Sequence, residues 1–241
     1  NTCKMNKKFT ELAKKSKVIV IKVGSNILVN EKHVLRKKWL TSLIEDVQKL
    51  QKKGSKIIIV SSGAIALGRN ILSKKKLTNL HEKQAAASIG QIQLSQQWQK
   101  AFAKLNIQSS QILITAEDLN ERRKYLNIRN TIYSLMDLDV VPIINENDTT
   151  STEEIRFGDN DKLSAMIANA LSAELLILLS DVNGLYTANP KKSVQAKLIT
   201  SVEEVDQQIE KYIDKDLSEF GSGGMLAKIN AAKLCIQSGS T

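Results

Sequence analysis

VVPIINENDTTSTEEIRFGDNDKLSAMIANALSA, residues 140–173, is the stretch on which the fold turns. Its first five residues, Val140 to Ile144, form a continuous apolar run of the length a buried strand needs. The run stops in a polar knot, Asn145, Glu146, Asn147, Asp148, Thr149 and Thr150, and a second knot follows at Gly158-Asp159-Asn160-Asp161. Apolar residues then fall at 163, 166, 167, 170 and 171, the spacing of one helix face. The order is strand, acidic loop, helix, with Asp159 and Asn160 as N-cap candidates, since their side-chain oxygens can accept from free backbone N–H groups. Asn and Asp also make ordinary turns and caps. Two such knots around one strand–helix unit exceed what one turn and one cap require, and they point to a site for an ammonium group or a metal–phosphate complex.

Outward from this unit the pattern repeats. Val18 to Val23 (VIVIKV) is a β-branched strand running into Gly24-Ser25-Asn26, and Lys22 interrupts it just before the glycine. An ammonium inside a central strand is poorly solvated, so Lys22 is expected to point from the strand's end into a cleft. Leu40, Leu43, Ile44, Val47 and Leu50 mark a helix ending near Gly54, and Ile57 to Val60 is the next strand. Strand, helix, strand in so short a span is a βαβ unit and implies a parallel sheet. The second strand ends in Ser61-Ser62-Gly63-Ala64, small residues that let an anion approach a helix N-terminus.

Residues 82–105 form a helix, with Ile89, Ile92, Trp98, Ala101 and Leu105 expected in the core; Gln111 to Ile114 is a strand, and Tyr125 to Met136 a helix. Leu175 to Leu179 is an apolar strand that stops at Ser180-Asp181-Val182-Asn183-Gly184. Leu185 to Pro190 reads as a loop and Val202 to Ile213 as a surface helix. Gly221-Ser222-Gly223-Gly224-Met225 precedes a helix over Leu226 to Ile236 with Lys228 in its first turns, which suits either a phosphate cradle or a hinge. Strand after strand ends in small or polar residues, and in open α/β sheets ligands bind beyond the carboxyl ends of the strands.

Composition narrows the class. The 241 residues are 42% apolar and 4% aromatic, enough for one sizeable domain or two small lobes with an aliphatic core. No apolar run approaches the roughly 20 residues that span a bilayer, and no signal-peptide pattern is visible. The chain opens on Asn1 rather than Met, and residues 1–17 read as a basic extension ahead of the domain. Cys3 and Cys235 lie at opposite ends without metal-ligand spacing, which suits a reducing compartment, so the expected location is the cytoplasm. The net charge of +10 comes from scattered lysines rather than an Arg-rich or aromatic-interleaved face, so specific nucleic-acid binding is not expected. Standard P-loop, dinucleotide and protein-kinase signatures are absent, and neither His33 nor His81 is near a strand end. What remains are Lys22 and Lys228 on glycine-flanked turns, with Asp148, Asp159, Asp161 and Asp181 on others. That set suits phosphoryl transfer to a carboxylate, which is ionised at neutral pH and needs no general base, so cations and aimed N–H donors do the work.

Six segments, IKVGS (21–25), SSGAIALG (61–68), INEND (144–148), FGDNDKLSA (157–165), SDVNGLY (180–186) and GSGGMLAK (221–228), closely resemble the glutamate 5-kinases of the amino acid kinase family. The matches run in order from about Lys17 to Gln237, and INEND followed by GDND and GGM-x-x-K is their most specific combination. The resemblance implies a three-layer α/β/α sandwich with a mainly parallel sheet. It also implies ATP- and Mg²⁺-dependent formation of L-glutamyl 5-phosphate, the first step of proline biosynthesis. Lys22 and Lys228 would neutralise the transferring group, and Asp161 would orient them. Ser62, Asp148 and Asn160 would bind glutamate. Lys22, Ser180, Asp181 and residues Ser222, Gly223, Gly224, Met225, Leu226, Ala227 and Lys228 would hold the nucleotide, with Mg²⁺ carried on the ATP phosphates rather than by protein ligands. The glutamate lobe would run from about 18 to 165 and the nucleotide lobe from 166 to 241. Proline as a feedback inhibitor and a homo-oligomer are inherited expectations. Many bacterial members continue into an RNA-binding-like module, which is not expected within this chain, and the fold usually adds an apolar strand after the last helix, beyond Thr241. Two other readings stand beside this one: a kinase of the same fold for aspartate, acetylglutamate, carbamate or UMP, and a polyanion-binding protein with a relic kinase fold.

Overall fold

β-branched and leucine-rich segments at the predicted places build five parallel strands: β1 (Val18–Val23), β2 (Lys56–Ser61), β3 (Ser109–Ile114), β4 (Val141–Glu146) and β5 (Leu175–Leu179). The computed structural model describes residues 2–73, 76–151, 159–188, 190, 193–203, 205, 209 and 224–241. Strand order is β3-β4-β2-β1-β5, with β1 between β2 and β5. Within this sheet every described strand pairing is parallel. Buried on both faces, β1 and β2 read as nearly unbroken apolar runs, as strands of a parallel sheet covered on both sides must.

The helices divide between the two faces. Alternate residues Ile19, Ile21 and Val23 of β1 face a core completed by α3 (Lys37–Gln51), α4 (Ala64–Ile71) and α5 (Leu80–Ala103), through Leu40, Ile44, Leu67, Leu94, Trp98 and Phe102. Val18 and Val20 face the opposite core, built by α6 (Arg122–Asp137), α7 (Asp159–Ala170) and α8 (Gly224–Gln237), through Ile132, Leu163, Ile167, Ala231 and Cys235. The period-two alternation of a strand therefore assigns Lys22 to the α7–α8 face. This is the three-layer sandwich expected from the sequence. A small third cluster gathers Leu185, Ile199, Met225 and Leu226 around Ile209 and Ile229, beside an antiparallel bridge between Tyr186 and Leu198.

The basic lead-in forms α1 (Thr2–Lys15), and its last turn joins the domain: Ala13 and Ser16 are buried, and Ser55 donates to the Ser16 carbonyl at 2.8 Å. At the other end, the Leu176 N–H donates to the Thr241 carbonyl and the Thr241 N–H to the Glu174 carbonyl, so the last residues run along the outer edge of β5. No helix among the described residues is long and apolar enough to cross a membrane.

Two expectations change, and a third falls mostly outside the described residues. The long helix α5 buries Ala86, Gly90, Leu94, Trp98 and Phe102, whereas Ile92, expected in the core, is 67% exposed. The reason is a close helix crossing. A Cβ on Gly90 would sit 1.9 Å from the Ala64 carbonyl oxygen, and one on Gly68 1.7 Å from that of Ala86. Glycine and alanine form the contact row because α4 approaches backbone to backbone, so bulk is a misleading guide to which side faces inward. Asp159 and Asn160, expected as caps, lie inside the first turn of α7, and the position before them is outside the described residues. The helix expected over 202–213 falls mostly outside the described residues; 202, 203 and 205 are not helical, while 209 is.

Candidate active site

The carboxyl ends of β1, β2, β4 and β5 converge on one crevice. The Gly24 N–H donates to the Leu179 carbonyl at 3.1 Å and the Ser62 N–H to the Val23 carbonyl at 3.1 Å, which ties the turns after β5, β1 and β2 together. Gly63 begins α4 at φ +110°, a left-handed conformation that glycine adopts without steric cost.

Asp161, in the first turn of α7 and 1% exposed, joins the two predicted lysines. Lys22 Nζ lies 2.6 Å from its Oδ1, and Lys228 Nζ lies 3.1 Å from its Oδ2. Lys228 also donates to the Gly224 carbonyl at 3.3 Å, folding back over the first turn of α8. Lys22 meets Oδ1 as a charge contact off the hydrogen-bond direction, since Oδ1 accepts no aligned hydrogen bond among the described residues. Burial pushes the Lys22 ammonium below the ordinary lysine value of 10.5; Asp161 opposes this and Lys228 adds to it. Two ammonium groups on one carboxylate leave a net positive charge in a nearly dry place, an arrangement suited to receiving an anion.

Beside this trio stands an amide cluster. Asn160 Nδ2 donates to Ser62 Oγ at 2.9 Å and to Asn145 Oδ1 at 3.3 Å, and Asn145 Nδ2 donates to Gln91 Oε1 at 2.7 Å. The turn carrying Asp148 is pinned from both sides: the Asn147 N–H donates to the Ile114 carbonyl at 2.8 Å, and Gln84 Nε2 to the Ser151 carbonyl at 3.1 Å. Asp148 faces a cleft of about 620 Å³ between α5 and β3, which reaches the amide cluster at Asn145. This cleft does not include the lysine pair; the charge chemistry lies at the strand ends and the cleft opens beside them.

Lys22, Asp161, Lys228, Ser62 and Asn160, predicted from sequence, are thus within direct contact of one another in two adjoining groups. Of the residues assigned to the nucleotide, Gly224, Met225, Leu226, Ala227 and Lys228 form the start of α8. Ser180 is half-buried just after β5, its hydroxyl against the Val182 N–H, and Asp181 is exposed. Ser222 and Gly223 lie outside the described residues. Gln84 and Gln91 carried no functional signal in sequence beyond the absence of charge from Gln84 to Gln99, whereas Asn145 belongs to the polar knot and to the INEND segment.

The model of the amino acid kinase family matches residues 17–241. The chain belongs to the amino acid kinase family. Among similar proteins are glutamate 5-kinases of Pelagibacter ubique, 51% identical over 94% of this chain and 62% of the relative, and of Nitrosospira multiformis, 46% identical over 94% and 61%. A third, from Brucella abortus, is 48% identical over 92% of this chain and 59% of the relative. The chain therefore spans about three fifths of the length of the curated relatives it matches. Among solved structures, an isopentenyl phosphate kinase in complex with substrate aligns at a TM-score of 0.59 with 16% identity, covering 86% of this chain and 87% of that one, and shares its fold.

Proposed function

We propose that this amino acid kinase transfers a phosphoryl group from ATP to the side-chain carboxylate of L-glutamate, making L-glutamyl 5-phosphate for proline biosynthesis in the cytoplasm. The observation that carries the reading is the pair of lysines held on opposite oxygens of Asp161, next to a cluster of side-chain amides. The identities of 46–51% to glutamate 5-kinases support glutamate as that acceptor.

The chemistry follows from charge. The acceptor carboxylate, with a pKa near 4, attacks without losing a proton, so the barrier is repulsion between anions and charge gathering on the transferring group. Lys22 and Lys228 supply positive charge from opposite sides of Asp161, and a site already organised in this way needs little rearrangement as the charge develops. Asp161 keeps both ammonium groups in place. Asp148 is assigned to the α-ammonium of glutamate, Ser62 and Asn160 to its polar groups. Ser180, Asp181 and residues 222–228 are assigned to the nucleotide. Mg²⁺ is proposed to travel on the triphosphate. Proline, which shares the α-amino acid end of glutamate, is proposed to compete for the same groups. Self-association is assigned to the uncharged outer face of α5 and the edge strand β3, where Ile92 and Leu113 are exposed.

A hydroxamate assay tests the reaction: glutamate with MgATP should yield trapped acyl phosphate, and aspartate, acetylglutamate and UMP should be poor acceptors. Preference for any other acceptor defeats the assignment. Tight RNA binding without turnover would favour a polyanion-binding protein.

A further inference from the structure

The side-chain amide cluster does not end at the crevice. Asn160 Nδ2 donates to Asn145 Oδ1, Asn145 Nδ2 to Gln91 Oε1, and Gln91 Nε2 to Ser95 Oγ at 3.2 Å, while Ser95 Oγ reaches Gln111 Oε1 on β3. The three amides donate in the same direction, outward from the crevice to Ser95, whose hydroxyl in turn donates to the Gln91 carbonyl at 2.9 Å. Bonds aligned in this way polarise and strengthen one another. The direction has a consequence at the inner end. An amide whose Nδ2 is committed to Ser62 and Asn145 must turn its oxygen the other way, and Asn160 Oδ1 is buried with no partner among the described residues. A buried acceptor without a donor is costly, so it suits a ligand that brings one.

We infer that Gln91 is a positioning residue: acting through Asn145, it sets the Asn160 amide so that Oδ1 faces the crevice, and the site thereby selects acceptors bearing an N–H donor, the ammonium of an amino acid. Asn145 alone does not settle its own orientation, because an amide presents oxygen and nitrogen with nearly equal shape. Gln91 breaks that tie by offering an oxygen. Its own orientation is set in turn by Ser95, which accepts from Nε2. Half-buried on α5, Gln91 lines the cleft that Asp148 faces and is joined to the crevice amides through Asn145. The inference rests on the proposed glutamate kinase activity.

The test compares glutamate with glutarate, which has the same two carboxylates and no ammonium, in the wild type, Gln91→Met and Gln91→Glu. In Gln91→Met, KM for glutamate should rise about tenfold, the scale of one lost buried hydrogen bond, with kcat and the KM for ATP within about threefold of wild type. The preference for glutamate over glutarate should fall by a similar factor. Gln91→Glu keeps an acceptor for Asn145 and should restore the glutamate KM to within about threefold. Gln91→Ala should repeat the Met result and guards against a packing fault, and Lys100→Met, exposed on the same helix and away from the cleft, should leave KM unchanged. An unchanged glutamate KM in Gln91→Met, or a Glu variant no better than Met, overturns the inference. So does a loss of thermal stability that lowers all kinetic constants together. A wild-type chain inactive on glutamate overturns the proposed function and the inference with it; an active wild type with an indifferent Gln91 overturns the inference alone.

Discussion

Two Lys–Asp pairs stand at opposite ends of the same sheet. Lys56, first residue of β2, meets Asp139 at 2.8 Å and the Met136 carbonyl at 2.8 Å. Lys22, next to last on β1, meets Asp161 at 2.6 Å. The distances are alike and the surroundings are not. The Lys56 and Asp139 side chains are 40% and 86% exposed, so water screens them and the pair contributes roughly 0–1 kcal/mol. Lys22 is 6% exposed, where desolvation is expensive and every remaining charge acts strongly. The outer pair is also balanced, one ammonium to one carboxylate. The inner carboxylate is shared between two ammonium groups and leaves positive charge unmatched. An ion pair becomes a device for chemistry here through burial and imbalance, and distance has little part in it.

The strongest way to break this contrast is Asp161→Asn. It keeps the shape but leaves two ammonium groups facing each other, so we expect a loss of about 3–5 kcal/mol in denaturant unfolding and a fall in kcat of at least about a hundredfold. A variant as stable as wild type would show that the carboxylate is not holding the lysines together. Asp148→Asn should act on binding instead, raising KM for glutamate about tenfold with little change in kcat, because it removes charge pairing that bound and transition states share. Steady-state kinetics with glutamate varied decides between the two effects.

A pH profile sharpens the same contrast. Because burial lowers the Lys22 pKa below 10.5, its charge is lost at a lower pH than that of an exposed lysine, and kcat should decline on an alkaline limb centred below 10.5. The sign for stability is opposite. Between the folded pKa and the unfolded value near 10.5, the unfolded chain binds the extra proton, so the Lys22 contribution becomes more favourable as pH rises through that window. Denaturant unfolding over that range should show wild type losing stability relative to Lys22→Met as pH falls toward neutral. The smallest effect belongs to the outer pair: Asp139→Ala should change stability by about 1 kcal/mol or less and leave kcat unchanged. A large kinetic effect there would undo the distinction between the two ends.

Each member of the inner pair left a local mark in the sequence, although four aspartates stood open as partners until the family resemblance implied Asp161. Lys22 interrupts a β-branched run just before a glycine, and strand alternation alone puts it on the face opposite Ile21 and Val23. Asp161 follows a polar knot at a helix start, and Lys228 follows glycines. All three are local signals. The α5 contact row was hidden because its members are Ala and Gly, chosen by the close approach of α4 rather than by hydrophobicity, while the conspicuous Ile92 faces outward. The amide chain was hidden for a different reason. Gln91 and Asn145 are 54 residues apart in sequence and joined only by a side-chain hydrogen bond, which leaves no periodic trace.

The most direct test is kcat for acyl phosphate formation in Lys22→Ala and Lys228→Ala, each verified as folded by its unfolding transition. Loss of at least about a hundredfold in both is predicted, the scale of removing one electrostatic stabiliser. Turnover retained in either folded variant would contradict the claim that both lysines on Asp161 carry the transfer.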